Sequence, residues 1–129
     1  MFEKLEITSM AQSLAAHAGQ RLGVIAQNVA NADTPGYRAR DVQDFETVWR
    51  AADSGEMRAT RAGHQTFGTM QSGQEETVIA RGASSPNGNS VSIESEMVKA
   101  VETRQQHEMA LAIYRGTSEV IRASLGRRG

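Results

Sequence analysis

The chain of 129 residues has no cysteine, two prolines and very few aromatic side chains: three Phe, two Tyr and one Trp. Without cysteine there are no disulfides and no thiolate metal sites, and the redox compartment stays open, because such chains suit oxidising and reducing surroundings alike. Core-forming residues are also scarce. Leu, Ile, Val and Phe together number 23, under the fifth of the chain at which a self-sufficient core becomes doubtful. Charge of one sign is missing too: the net charge is -1, and Lys and Arg are interspersed with Asp and Glu throughout. That excludes the local basic excess needed for a nucleic-acid footprint or a polybasic membrane anchor. No run approaches the ~18–20 apolar residues of a membrane span. The opening MFEKLEITSMAQSLAAHAGQ lacks a basic region followed by an unbroken apolar stretch, so no cleaved signal peptide is expected there.

What the chain does have is alanine, eighteen residues, and glycine, twelve. This composition favours helices that approach closely over a thick aromatic core, and it points to burial completed against other chains. The first segment reads as one helix from about Thr8 to Ala32, with Thr8 or Ser9 as N-cap. Ala11, Ala15, Ala18, Leu22, Ile25 and Val29 follow alternating steps of four and three, the seam spacing of a coiled coil. Ala11, Ala15, Gly19 and Gly23 form a row of very small side chains, at a cost of roughly 1 kcal/mol for each glycine relative to alanine. Such a row suits a neighbouring helix packed with its backbone near.

A second long helix is expected from about Ser92 to Leu125, with Ser92 as N-cap and Glu94 and Glu96 in the first turn, where the helix dipole favours them. Met97, Val98 and Val101 form one apolar patch; Ala110, Ile113, Tyr114, Thr117, Val120, Ile121 and Leu125 form another. The polar stretch ETRQQHE between them should face solvent or a polar partner. The fold class is therefore mainly α: long N- and C-terminal helices paired as a coiled coil around an irregular or small β-hairpin central segment. The corresponding divisions are 1–34, 35–91 and 92–129. In the centre, Val42, Phe45, Val48 and Trp49 suggest a short helix or turn with one apolar side. MRATR and ETVIAR read either as short strands of a hairpin or as part of an excursion that orders on a partner.

Catalytic constellations are hard to assemble. His17, His64 and His107 fall in separate segments without ligand spacing, Glu75 and Glu76 are adjacent and diverge on an extended chain, and no serine has an elbow context. No phosphate loop is present. Neither an enzyme activity, a cofactor, a metal nor a small-molecule substrate is expected.

The sharpest feature is the corner NVANADTPGYRARD. Asn28 and Asn31 lie in the last helical turns, where their amides reach carbonyls or neighbouring chain. Asp33 suits a cap or Asx-turn, Thr34 is pushed out of the helical region by the following proline, and Pro35-Gly36 matches the centre of a type II turn. Tyr37 supplies a large anchor, and Tyr37 through Phe45 is expected to lie against a neighbour.

The longer string Asn-Val-Ala-Asn-Ala-Asp-Thr-Pro-Gly-Tyr, closing an amphipathic N-terminal helix, resembles the signature of the bacterial flagellar rod and hook axial proteins. The resemblance continues through YRARDVQDF, TRAGH, GNSVSIESEM and MALAIYRGTSEVI, covers about residues 8–45 and 86–125, and is strongest for the short proximal-rod branch. It implies a structural subunit of the basal-body rod, exported by the flagellar type III apparatus and stacked by its terminal helices into a hollow tube. Implied partners are other copies of the chain, other proximal-rod proteins, the export gate and the adaptor protein at the base of the rod. The residues it singles out are Asn28, Asn31 and Asp33 through Tyr37 at the corner, and Gly88, Asn89 and Ser92 at the approach to the second helix. Packing falls to Ala15, Gly19, Leu22, Gly23, Ile25 and Val29 on one helix, and to Met97, Val101, Ile113, Tyr114, Val120 and Ile121 on the other. A coiled-coil binding module, such as an export chaperone or regulator, is the alternative class.

Overall fold

The computed structural model describes residues 2–56, 77–80 and 82–126. Its elements run α1 (Phe2–Ala30), β1 (Arg40–Val42), α2 (Phe45–Glu56), β2 (Thr77–Ile79) and α3 (Ile93–Gly126). The two long helices, about 43 and 51 Å at 1.5 Å per residue, pack against each other in antiparallel sense. Asn28 near the end of α1 meets Glu96 near the start of α3, while Ile7 shares a groove with Ile113 and Val120. The mainly α architecture and the small central hairpin agree with the sequence pattern.

Helix α1 starts at Phe2, earlier than the cap residues Thr8 and Ser9 suggested. The Thr8 hydroxyl donates to the Lys4 carbonyl at 2.8 Å, a bond of the helix interior. Nothing in FEKLEI breaks a helix, and Glu3 in the first turn complements the dipole.

The seam is broader than the expected one. Ala11, Ala18 and Ile25 are buried as the spacing predicts, Ala15 and Leu22 are half-buried alongside Leu14 and Arg21, and at the last position Asn28 is buried while Val29 is exposed. On α3 the buried residues are Glu96, Thr103 and Ala110, seven apart, with Ala100 and His107 half-buried between them and Tyr114 and Ile121 half-buried beyond. Ala18, Thr103 and Ala110 lose all exposure, so the helices meet through small side chains that let their backbones come close. In the polar stretch expected to face solvent or a polar partner, Thr103 is buried in the seam; its hydroxyl donates to the Lys99 carbonyl at 2.6 Å, which allows this. Met97, Val98 and Val101 lie outside the seam and are exposed, because the polar residues Glu96 and Thr103 take the inward positions.

Strand β1 pairs antiparallel with β2, placing Arg40 opposite Ile79, Asp41 opposite Val78 and Val42 opposite Thr77. ETVIAR thus contributes a strand, but its partner is RDV rather than MRATR, which lies outside the described residues. Val42 is a buried strand residue instead of the first apolar position of the following helix. That helix keeps Phe45, Val48 and Trp49 half-buried on one side, the Phe45 and Trp49 rings 5.8 Å apart. Phe45 also meets His17 edge to face at 5.6 Å, and the His17 Nε2–H donates to the Gln43 carbonyl at 2.6 Å. His17 is therefore a buried docking residue of α1. The segment from Tyr37 to Phe45 makes contacts within its own chain, Tyr37 bonding Asn28 and the Gln43 carbonyl bonding His17, with Ala39 and Val42 buried.

Candidate functional site

The corner after α1 and the loop before α3 close on each other into a joint. Its centre is Asn28, which has no exposure and uses its whole side-chain amide. Nδ2 donates to the Arg40 carbonyl at 2.7 Å and to Glu96 Oε2 at 3.1 Å, while Oδ1 accepts from the Arg40 N–H at 3.0 Å and the Tyr37 hydroxyl at 3.2 Å. The side chain pairs with Arg40 as a strand would, and it ties α1, β1 and α3 together. A buried amide with all four positions filled is stabilising; losing a partner exposes the remaining groups to an unpaid desolvation cost.

Glu96 continues the network. It is 2% exposed, and its second oxygen accepts from Lys99 Nζ at 3.2 Å. Lys99 lies 3.9 Å from Asp41 Oδ2, and Asp41 is gripped by Arg21 in a two-point contact at 3.0 and 3.2 Å. The run Arg21, Asp41, Lys99, Glu96 alternates in sign and closes at zero net charge. Burial pushes the Asp41 carboxyl up, but the Arg21 hydrogen bonds, the Val42 N–H and the charges of Arg21 and Lys99 outweigh it and hold the group below its ordinary value. The Arg21 guanidinium is raised in turn, first by its hydrogen bond to Asp41, against the opposing effect of burial.

Asn89 holds the other half of the joint. It is 3% exposed, and its Nδ2 stands 2.9, 2.9 and 2.8 Å from the carbonyls of Asn31, Ala32 and Thr34. Carbonyls at a helix C-terminus lack intrahelical donors, and here a side chain from 57 residues downstream supplies them. Its own Oδ1 accepts from the Val91 N–H at 2.8 Å. The Asn31 amide, by contrast, donates to the Gln27 carbonyl of its own helix and stays near the surface.

Between these anchors the backbones clasp. Thr34 to Tyr37 closes a turn through the Tyr37 N–H to Thr34 carbonyl bond at 3.3 Å, with Gly36 at φ +74°, the left-handed geometry a type II turn places at its third residue. The Gly36 N–H donates to the Asn87 carbonyl, the Ser90 N–H to the Tyr37 carbonyl, and the Ala39 N–H to Ser90 Oγ. Gly88 also has positive φ, +84°, and a Cβ built there would stand 3.3 Å from the Gly36 Cα. Two glycines let two turns touch. Ser92 then caps α3, its Oγ accepting from the Ser95 N–H at 3.4 Å.

The structure thus brings together Asn28, Tyr37, Gly36, Gly88 and Asn89. Asp33, Thr34 and Pro35 stay exposed at the rim. Of the packing residues, Ile25 is buried and Ala15, Leu22, Tyr114 and Ile121 are half-buried, whereas Gly19, Gly23, Val29, Met97, Val101, Ile113 and Val120 face outward. Around Gly19 and Gly23 a Cβ would meet nothing within 4 Å. Sequence reasoning missed Arg21, Asp41, Glu96 and Lys99. A seven-residue repeat through Leu14, Arg21 and Asn28, and through Glu96, Thr103 and Ala110, was the signal that polar residues occupy seam positions.

Nothing in this site has the form of a reaction centre. Among the described residues no group of three or more His, Asp or Glu converges as a metal site, and no helix is long and apolar enough to cross a membrane.

Residues 10–38, which span most of α1 and the corner, match the family described as flagella basal body rod protein. The chain is 30% identical to the flagellar basal body rod protein FlgB of Agrobacterium fabrum over 83% of each chain. It is 30% identical to that of Cereibacter sphaeroides over 72% of this chain and 73% of the relative. Similarity to the Escherichia coli K12 protein of the same name is 29% over 90% of this chain and 91% of the relative.

Proposed function

The chain belongs to the flagellar basal body rod protein family, and from that premise we propose that it is a structural subunit of the proximal rod, assembling by helix packing into the hollow drive shaft that motility requires. The observation that carries this reading is the division of its surface. The polar joint is satisfied within one chain, while Leu5, Ile7, Met10, Met97, Val101 and Ile113 remain more than 40% exposed along the two helices. Monomers seldom leave that much large apolar surface open along paired helices, and assembly covers it. The role is geometric rather than catalytic: the joint fixes the angle and register of two rods, and the rods supply the contact faces.

On this reading Gly19 and Gly23 form a shelf on which a neighbouring helix lies, and Asp33 to Pro35 sit at the rim where a neighbour is met. Partners are other copies of the chain, other proximal-rod proteins, the export gate during delivery and the adaptor protein at the rod's base. The place of action is the periplasmic rod. Deleting the gene and examining isolated basal bodies tests the proposal. Loss of motility and of rod density, with the export base retained, is the expected result; intact rods and normal swimming would overturn it.

A further inference from the structure

Two apolar features at opposite ends of α3 are left uncovered, and they differ in shape. Near its start, Ile93, Met97 and Val101 stand four apart as a ridge, 47%, 64% and 59% exposed. Near its end, α1 and α3 leave between them a groove of 310 Å³ lined by Lys4, Ile7, Ile113, Gly116, Thr117 and Val120. At 1.5 Å per residue the ridge is about 12 Å long and the Ile113 to Val120 wall about 10 Å. The groove is open to solvent and walled by Ile7, Ile113 and Val120, a surface that suits aliphatic side chains. The charged residue lining the groove is Lys4; Glu94 flanks the ridge, and Arg104 at the ridge's end is paired with Glu108, so the charge offered to Lys4 is that of Glu94.

The features also lie on opposite faces. At about 100° per residue, Met97 is about 200° from Lys99, which faces Asp41 of β1. Ile113 and Val120 fall within about 60° of Lys99, on the face that carries β1. A two-fold pair brings the same patch of both copies together, so a ridge and a groove on opposite faces cannot satisfy each other in a closed dimer; they join copies head to tail.

We propose that the Ile93–Met97–Val101 ridge of one copy seats in the groove between Ile7, Ile113 and Val120 of a second copy, forming the head-to-tail contact of the assembled subunit. This rests on the rod-subunit reading and specifies which face meets which.

The chain has no native cysteine, so engineered pairs report cleanly. Met97→Cys combined with Thr117→Cys, and Met97→Cys with Val120→Cys, are expressed as full chains in cells lacking the native gene, and basal bodies are oxidised in air. Twenty or more residues of helix separate the paired positions, about 30 Å, too far for a disulfide within one chain. A ladder of dimers and larger multimers is expected from at least one pair, and none from Met97→Cys with Arg115→Cys, which lies on the far side of α3 from the groove. Lys4→Glu and Glu94→Lys should each reduce the ladder several-fold, and together restore it. Subunits present in basal bodies without a ladder, dimers alone, or crosslinks only to a different protein would overturn the proposal. Absence of the chain from basal bodies would overturn the rod reading and this contact with it.

Discussion

The two ends of the helix pair are stabilised in opposite ways. At the joint, polar side chains are buried and matched atom for atom: Asn28 with four hydrogen bonds, Asn89 across three carbonyls, and an alternating ion series from Arg21 to Glu96. At the far end, Ile7, Ile113 and Val120 are 46%, 41% and 47% exposed around an open groove. Polar matching is directional and needs fixed partners, so it belongs where the chain supplies both sides itself. Apolar contact is less directional and can be left for a partner to complete. The difference teaches that the joint's geometry is set within the chain, and under the proposed function cohesion is supplied from outside it.

The change that breaks this contrast most severely is Asn28→Ala. It strips Glu96, Tyr37 and Arg40 of a buried partner, and the loss should be about 3 kcal/mol or more, read as a fall in the urea midpoint of the joint and as loss of motility. Asn89→Ala follows at about 1–3 kcal/mol, because the helix-end carbonyls lose their donor. Gly36→Ala should cost about 1–2 kcal/mol through its left-handed backbone, and Gly36→Val more, both visible as reduced rod assembly.

Some of this was legible beforehand and some was not. Pro35-Gly36 and Ser92 announce their turn and cap through local chemistry, which needs no tertiary context, and the structure has both. At the last position of the α1 seam the apolar spacing points to Val29, but Asn28 is the buried residue, because its amide finds partners on β1 and α3 that spacing along one helix does not show. Glu96 illustrates the limit well: in a first helical turn it reads as a dipole charge, and only the distant Asn28 reveals it as buried. The pairing of RDV with TVI was equally hidden, since two three-residue strands 35 positions apart carry no alternation to read.

The ion series sharpens the comparison through pH. Because the folded Asp41 pKa lies below its unfolded value, its stabilisation is fully present above the ordinary carboxylate pKa, about 4, and is lost as pH falls through the folded value. Acid titration of stability should therefore show a descent beginning near pH 4 that Asp41→Asn removes, with no change in slope at neutral pH. The smallest effect on the isolated chain is expected at the other end. Gly19→Leu, set in open space, should leave monomer stability unchanged or raise it by up to about 1 kcal/mol, yet block incorporation into rods while export continues. Normal motility in that variant would remove the glycine shelf from the account.

The central claim is that one end of the helix pair is complete in the monomer and the other is completed by assembly. Amide hydrogen exchange on the purified full chain tests it most directly. The account predicts slow exchange at the joint, at Gly36, Ala39, Arg40 and Ser90 and in the adjoining turns of α1 and α3, with fast exchange over residues 2–12 and 112–126. Uniform strong protection along the whole of both helices would contradict it.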